Sequence, residues 1–367
     1  MNSLITIRNK ILGAAYRNVL KPVFFAQDPE KVHDKMTQVG SFLGGNLLTR
    51  ELTSLAFNYW HPKLEQNILG IDFKNPVGLA AGFDKEAKLV SILPKVGFGF
   101  EEVGSITKER YEGNSGKRLY RLPEQKALRV NYGLKSSGAD SVYNHLKSIK
   151  TEFPVGISIA KTNNPKTSVV ENGVEDYLYT YKKLNDLGSY VTINISCPNT
   201  CEDFPIFARA ENLEVLLKAI FSVPKTKPVF VKLSPDLANE NLDSILNVCL
   251  KYPVDGFVCS NLTKANKSGH EGKGGFSGKA VFEESNRLLA YVYQYTIGKK
   301  ILIGCGGIFT PEDAYKKILL GASLLQLVTG MVYQGPQVIS EINSGVVELL
   351  KRDGFKNISE AVGKGNI

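Results

Sequence analysis

The sequence predicts an α/β fold, a (β/α)8 TIM barrel preceded by a small N-terminal helical membrane-docking extension, and three observations predict it. Eight short apolar runs succeed one another from about residue 75, each closing on glycine or a polar side chain. Most intervals between them repeat apolar residues at helical spacing, as in Val174 to Leu187, Leu213 to Phe221, Leu242 to Leu250 and Val281 to Tyr295. The length of 367 residues and the apolar share of 43% suit one large soluble barrel with an appendage. Strand and helix alternating eight times favour a closed parallel barrel over an open doubly wound sheet.

Residues 1–45 are expected to form the extension and 60–360 the barrel. In the extension Leu4, Ile5, Ile7, Ile11, Leu12, Tyr16, Val19 and Leu20 recur at helical spacing, interrupted by Arg8, Lys10 and Arg17. That excludes a membrane span and a signal-peptide core. Asp28-Pro29-Glu30 starts a second helix: aspartate caps, proline suits the first turn and glutamate complements the dipole. Val32, Met36, Val39 and Leu43 mark its apolar face. Two uses fit such helices, docking on a membrane surface or packing as a hairpin on their own domain.

A hairpin is expected over Leu64 to Phe73. The strands follow at Val77 to Ala80, Phe98 to Val103, Val155 to Ile159, Val191 to Ile195, Val229 to Leu233, Gly256 to Cys259, Ile301 to Ile303 and Leu324 to Val328. The longest gap, between the second and third, contains Arg118 to Leu122 and Leu128 to Val130, a small hairpin laid over the barrel mouth. Five cysteines without framework spacing indicate free thiols in a reducing compartment. Cys197 and Cys201 lack the second pair or clustered histidines that a metal site needs, so no metal is expected. The net charge of +9 suits nucleic acid, an anionic membrane or anionic substrates equally. No basic stripe interleaved with aromatics marks a nucleic-acid surface.

Barrels place chemistry at the carboxyl ends of their strands. Here those ends supply Ala81, Gly82 and Lys85; Gly104 and Ser105; Ser158 and Lys161; Asn194 and Cys197; Lys232; Ser260 and Asn261; Gly304 to Gly307; and Thr329 and Gly330. Lysines, amides, hydroxyls and glycines on one rim suit a flat, hydrogen-bonding, phosphorylated ligand. The run Thr192 to Thr200 is the most informative, because Pro198 fixes a loop in which Asn194 and Asn199 flank Cys197. Glycine-rich turns after the last two strands form the expected phosphate end, and Gly274 to Gly278 is read as a third, flexible stretch closing over it. Lys232, isolated after Val229-Phe230-Val231, needs a negative partner in a barrel interior. A reduced flavin ring is one such partner and a structural carboxylate is another.

The segments Asn75 to Lys85, Ile195 to Asn199, Val231 to Asp236 and Gly275 to Gly278 together resemble the dihydroorotate dehydrogenase family over about residues 60 to 350. The prefix with Asp28-Pro29-Glu30 and His33, and the stretch Arg118 to Glu124, resemble its membrane-associated, quinone-linked class. The resemblance implies FMN as cofactor, dihydroorotate and orotate as substrate and product, and a quinone tunnel between the prefix helices. It implies FMN contacts at Ala81, Gly82, Lys85, Ser105, Asn194, Lys232, Ser260, Gly278, Gly307, Thr329 and Gly330, with Ser158 and Val328 standing where asparagine and tyrosine are usual. Lys85, Asn194, Asn199 and Asn261 would hold the substrate, and Arg121 and His33 would meet the quinone. Val130 replaces a substrate-contacting asparagine, with Asn131 one position along as its substitute, and Leu262 replaces a threonine.

Cys197 takes the catalytic-base position, where the quinone class usually has serine and the soluble class cysteine. Nearby cations, Lys85 among them, are expected to lower its pKa from about 8.5. The resemblance further implies a peripheral membrane protein, on the cytoplasmic face if bacterial, with a monomer expected and nucleic acid not a partner. A flavin reductase acting on another pyrimidine, or on uridine in transfer RNA, is the alternative enzyme. A silent membrane-binding module is the alternative non-enzyme, opposed by the retained Cys197, Lys85 and Lys232.

Overall fold

The computed structural model describes residues 2–202, 204–265 and 272–365. The prefix opens with α1 (Asn2–Ala15), a π-helical turn (Tyr16–Leu20) and α2 (Lys21–Phe25), followed by α3 (Pro29–Gly44). Asp28 caps α3 as its sequence requires, its Oδ1 accepting the amides of Glu30 and Lys31 at 3.0 and 3.1 Å. A further helix, α4 (Leu47–Phe57), continues the prefix beyond residue 45, capped by Asn46.

Strands β1 (Gln66–Ile68) and β2 (Ile71–Phe73) form the expected hairpin. Ile68 and Phe73 pack against Phe100, Tyr190, Phe230 and Leu324, residues at or near the starts of barrel strands, so the hairpin plugs the amino-terminal end of the barrel. Each such side chain removed from water contributes roughly 1.5 to 3 kcal/mol. The remaining strands are β3 (Val77–Leu79), β4 (Phe100–Ile106), β5 (Leu119–Leu122), β6 (Ala127–Val130), β7 (Val155–Ile159), β8 (Tyr190–Asn194), β9 (Val229–Leu233), β10 (Gly256–Cys259), β11 (Gly275–Gly278), β12 (Ile301–Cys305) and β13 (Leu324–Leu327).

Eight of them close a parallel barrel in the order β3, β4, β7, β8, β9, β10, β12, β13, with Leu325 of β13 registered on Val77 of β3. The eight sequence runs and these strands coincide to within three residues at each end. Strands β5, β6 and β11 make a separate antiparallel sheet. The Gly274 to Gly278 stretch is therefore not a flexible closure: Gly275–Gly278 is a strand paired with β6. A Cβ at Gly278 would stand 2.3 Å from the Lys126 carbonyl oxygen, so glycine permits close backbone approach there.

One face of the prefix packs on the barrel. Arg8 and Asn9 donate to Ser340 Oγ at 2.7 and 3.0 Å, and Tyr16 donates to the Val332 carbonyl at 2.7 Å. Arg118 beside β5 pairs with Glu30 of α3. The opposite face leaves Ile11, Val19, Phe42, Leu48 and Leu55 exposed. The prefix therefore packs one face on its own domain and leaves apolar side chains toward solvent on the other.

Candidate active site

Parallel pairing sets Asn194, the last residue of β8, beside Lys232 of β9. Asn194 Nδ2 donates to Ser105 Oγ at 2.8 Å, and its Oδ1 accepts from Asn261 Nδ2 at 3.1 Å. With both ends of its amide engaged, Asn194 is fixed in orientation and joins the ends of β4, β8 and β10 into one rim. Asn199, on the loop after β8, is buried with Oδ1 lacking a hydrogen-bond partner. Such an acceptor costs about 1 to 3 kcal/mol unless a ligand or water meets it.

Lys232 has the carboxylate partner that one sequence reading required. Its Nζ lies 3.9 Å from Glu102 Oε1, while Glu102 Oε2 accepts from Thr192 and Gln326 at 2.9 and 3.0 Å. The contact is loose, and Lys232 also lines the cavity, so its ammonium remains available to a ligand. Glu102 carried no signal in the sequence, since a glutamate in an apolar strand reads equally as a solvated residue.

These groups line one end of a cavity of about 570 Å³. Ala81, Gly82, Lys85, Ser260, Gly278 and Gly307 line it, as do Val328, Thr329 and Gly330. The far end is apolar, with Phe25, Val32, Met36 and Leu119 between the prefix and the β5–β6 hairpin, and Arg121 and His33 as its polar points. Arg121 donates to the Gln27 carbonyl at 2.7 Å and stacks over Phe25 at 4.8 Å. His33 Nε2 lies 2.9 Å from the Phe83 carbonyl, and burial, aided by Lys85, lowers its pKa.

Two expected residues stand outside this cavity. Asn131 is held by Asn114, whose Nδ2 donates to its Oδ1 at 3.0 Å, while Val130 lines the cavity. Ser158 is fully buried behind Ser105, with the two hydroxyls 2.8 Å apart. Its reach toward a ligand is through Ser105.

Lys85 is half-buried, with its Nζ 4.3 Å from the centre of the Tyr132 ring. Burial, with Lys135 adding to it, pushes its pKa down to about 8 against the opposing pull of Asp34, Glu30 and Asp84. At that value the ammonium still predominates near neutrality, and an anionic ligand would favour it further. The expectation for Cys197 is reversed: burial pushes the thiol up to about 11, although the Asn199 amide, Lys161 and Lys232 act the other way. The cations that oppose burial are thus Lys161 and Lys232. Desolvation wins because protein packs around a half-buried thiol at the cavity wall, a property that the local sequence does not carry.

A flat ring with a phosphate tail fits the polar end. Gly82, at φ +104°, leaves open space where a Cβ would meet nothing within 4 Å, so any side chain there would enter the cavity. Lys232 and the hydroxyl pair Ser277 and Thr329, 2.8 Å apart, supply donors around it.

A sequence model described as dihydroorotate dehydrogenase matches residues 63–350. A protein of Trichodesmium erythraeum named dihydroorotate dehydrogenase (quinone) is 35% identical over 380 residues, covering 96% of this chain and 99% of that protein. One of the same name from Natronomonas pharaonis is 37% identical over 350 residues, covering 94% and 98%. Among solved structures, a crystal structure of DHODH from Eimeria tenella in complex with ferulenol is similar with a TM-score of 0.82 at 29% identity, covering 92% of this chain and 95% of that one.

Proposed function

The chain belongs to the dihydroorotate dehydrogenase family, and from that premise we propose that it oxidises (S)-dihydroorotate to orotate in pyrimidine biosynthesis, with FMN at the barrel mouth and a quinone as acceptor. The observation that carries the reading is the continuity of one cavity from the polar strand ends to the apolar chamber beneath the prefix. A polar, anionic substrate and an apolar acceptor need opposite linings, and both occur in one continuous pocket.

Bound FMN would supply the two-electron chemistry, accepting a hydride equivalent from the substrate and passing electrons to the quinone. The chain's own residues do the rest. Lys85, half-buried in the cavity wall, receives the substrate carboxylate on its ammonium. Asn194, Asn199 and Asn261 align the ring so that the carbon beside its carbonyl faces Cys197, and positioning of this kind accounts for much of the rate. Cys197 takes the proton from that carbon as its thiolate. Lys232 would meet the pyrimidine end of a bound flavin, and Ala81, Gly82, Ser105, Ser260 and Gly278 would surround it. Gly307, Val328, Thr329 and Gly330 would hold its phosphate side. Arg121 and His33 would hold the quinone head.

The exposed apolar face of the prefix supports peripheral attachment to a membrane, where quinones dissolve. Among the described residues no helix is long and apolar enough to cross one. The test is rapid anaerobic mixing of the yellow protein with dihydroorotate, followed by ubiquinone, menaquinone, fumarate or NAD. Bleaching by dihydroorotate and recovery with a quinone are expected. A protein that cannot be loaded with FMN, or a loaded flavin that dihydroorotate leaves oxidised, ends the reading.

A further inference from the structure

Cys197 stands between two cavities. On its substrate side is the large one, which Lys85 and Cys305 also line. Behind it lies a second of about 10 Å³, lined by Cys197, Lys161, Tyr177, Thr200 and Leu134 among others. That volume is at the lower limit for a single water. Thr200 lines it too, and its side chain is engaged with the Glu202 carboxylate.

Lys161, in the wall of the small cavity, is held in a buried ion pair. Lys161 Nζ lies 2.6 Å from Glu202 Oε1, with the two side chains 5% and 10% exposed. Ser168 Oγ donates to the same carboxylate oxygen at 2.7 Å. Burying two charges costs several kcal/mol per ion before their attraction offsets it, so a pair in this position is poor evidence for stability and needs another account. The groups facing Cys197 come from several elements: Lys161 after β7, Lys232 on β9, Tyr177 on the helix Val170–Leu184 and Glu202 on the same loop as the thiol. Tyr177 is spoken for, since its hydroxyl donates to the Asn194 carbonyl at 2.7 Å. Lys232 stands on the large cavity's side, loosely paired with Glu102. Lys161 and Glu202 are the opposed charges on the small cavity's side.

We propose that the buried Lys161–Glu202 pair sets how readily Cys197 gives up its proton, Lys161 favouring the thiolate and Glu202 holding that influence in check. Both are positioning residues, acting through the thiol without touching substrate. The directions of their charges on Cys197 agree, Lys161 lowering its pKa and Glu202 raising it. The proposal rests on the reading of Cys197 as the base only for its catalytic consequence.

The test compares E202Q and K161M with the native holoenzyme in two pH titrations. One follows flavin reduction by dihydroorotate, and the other follows alkylation of Cys197 by iodoacetamide, read by peptide mapping so that other cysteines do not contribute. E202Q should move both midpoints down by about one pH unit, making thiolate about tenfold commoner at a fixed lower pH, and K161M should move both up by about as much. E202D should restore the native midpoint. A pair that only braces the loop would shift both variants the same way or neither, and either outcome overturns the proposal. Should K161M fail to fold, E202Q decides alone, an unmoved or raised alkylation midpoint being the negative result. Opposite alkylation shifts with an unchanged flavin-reduction profile would uphold the proposal and remove Cys197 from the role of base.

Discussion

At the scale of single residues, Cys197 shows how a motif and its environment divide the explanation. A thiol pushed up to about 11 is mostly protonated near neutrality, and the thiolate is the form that removes a proton. Flavin reduction by dihydroorotate should therefore quicken across about pH 7 to 9 without levelling, and a plateau in that interval would contradict the burial argument. C197A should keep its flavin yet slow reduction by about 10² to 10⁴, the usual worth of a positioned base, with C197S between. Rapid-mixing traces at the native rate in C197A would place the base elsewhere. Val130 lines the cavity where an amide contact is missing, and Asn131 is engaged with Asn114. V130N should consequently tighten orotate, by roughly two- to tenfold for one hydrogen bond, in a titration of the flavin spectrum. Unchanged or weaker binding would mean that the ring does not reach this position.

At the scale of elements, the prefix and the small sheet decide what meets the barrel mouth. Helix α4 leaves Leu47, Leu48, Leu52 and Leu55 exposed, next to Phe42 at the end of α3. Each apolar side chain that enters a lipid surface contributes roughly 1.5 to 3 kcal/mol. The double variant L52E/L55E should weaken liposome flotation by roughly a hundredfold or more while dihydroorotate still bleaches the flavin at the native rate. Equal flotation would show that this face is not the one that docks. The caps and apolar spacing of α3 were legible, because capping is a matter of a few adjacent residues. The role of Gly275–Gly278 was not, because a strand whose partner lies far back in the sequence looks like a glycine-rich loop until the pairing with β6 is seen.

At the scale of the whole molecule, one buried group couples the fold to pH. Glu101 on β4 is fully buried, neither of its carboxylate oxygens has a hydrogen-bond partner, and burial with Asp84 nearby holds its pKa well above 4.5. The folded state therefore favours the protonated form. That contribution is fully present below the unfolded value near 4.5 and is lost as pH rises through the folded one. The melting temperature of the native protein should fall between about pH 5 and 8, and that of E101Q, which does not titrate, should fall less. Parallel melting curves would show that Glu101 stays neutral in neither state or ionises equally in both.

The sequence by itself determined the barrel, its eight strands and the identity of the residues at their carboxyl ends, because alternating strand and helix patterns and the turns that end them are written in neighbouring residues. It also placed Asn194, Cys197, Lys232 and Asn261 on one rim, since the topology of a closed parallel barrel leaves the strand ends no other place. Only the tertiary structure decided which of those side chains meet. It gave Lys232 its partner Glu102, turned Asn131 toward Asn114 and set Lys161 against Glu202, 41 residues along the chain, behind the thiol. Desolvation and charge act through distance in space and through exclusion of water, and neither is encoded in the spacing of residues along the chain.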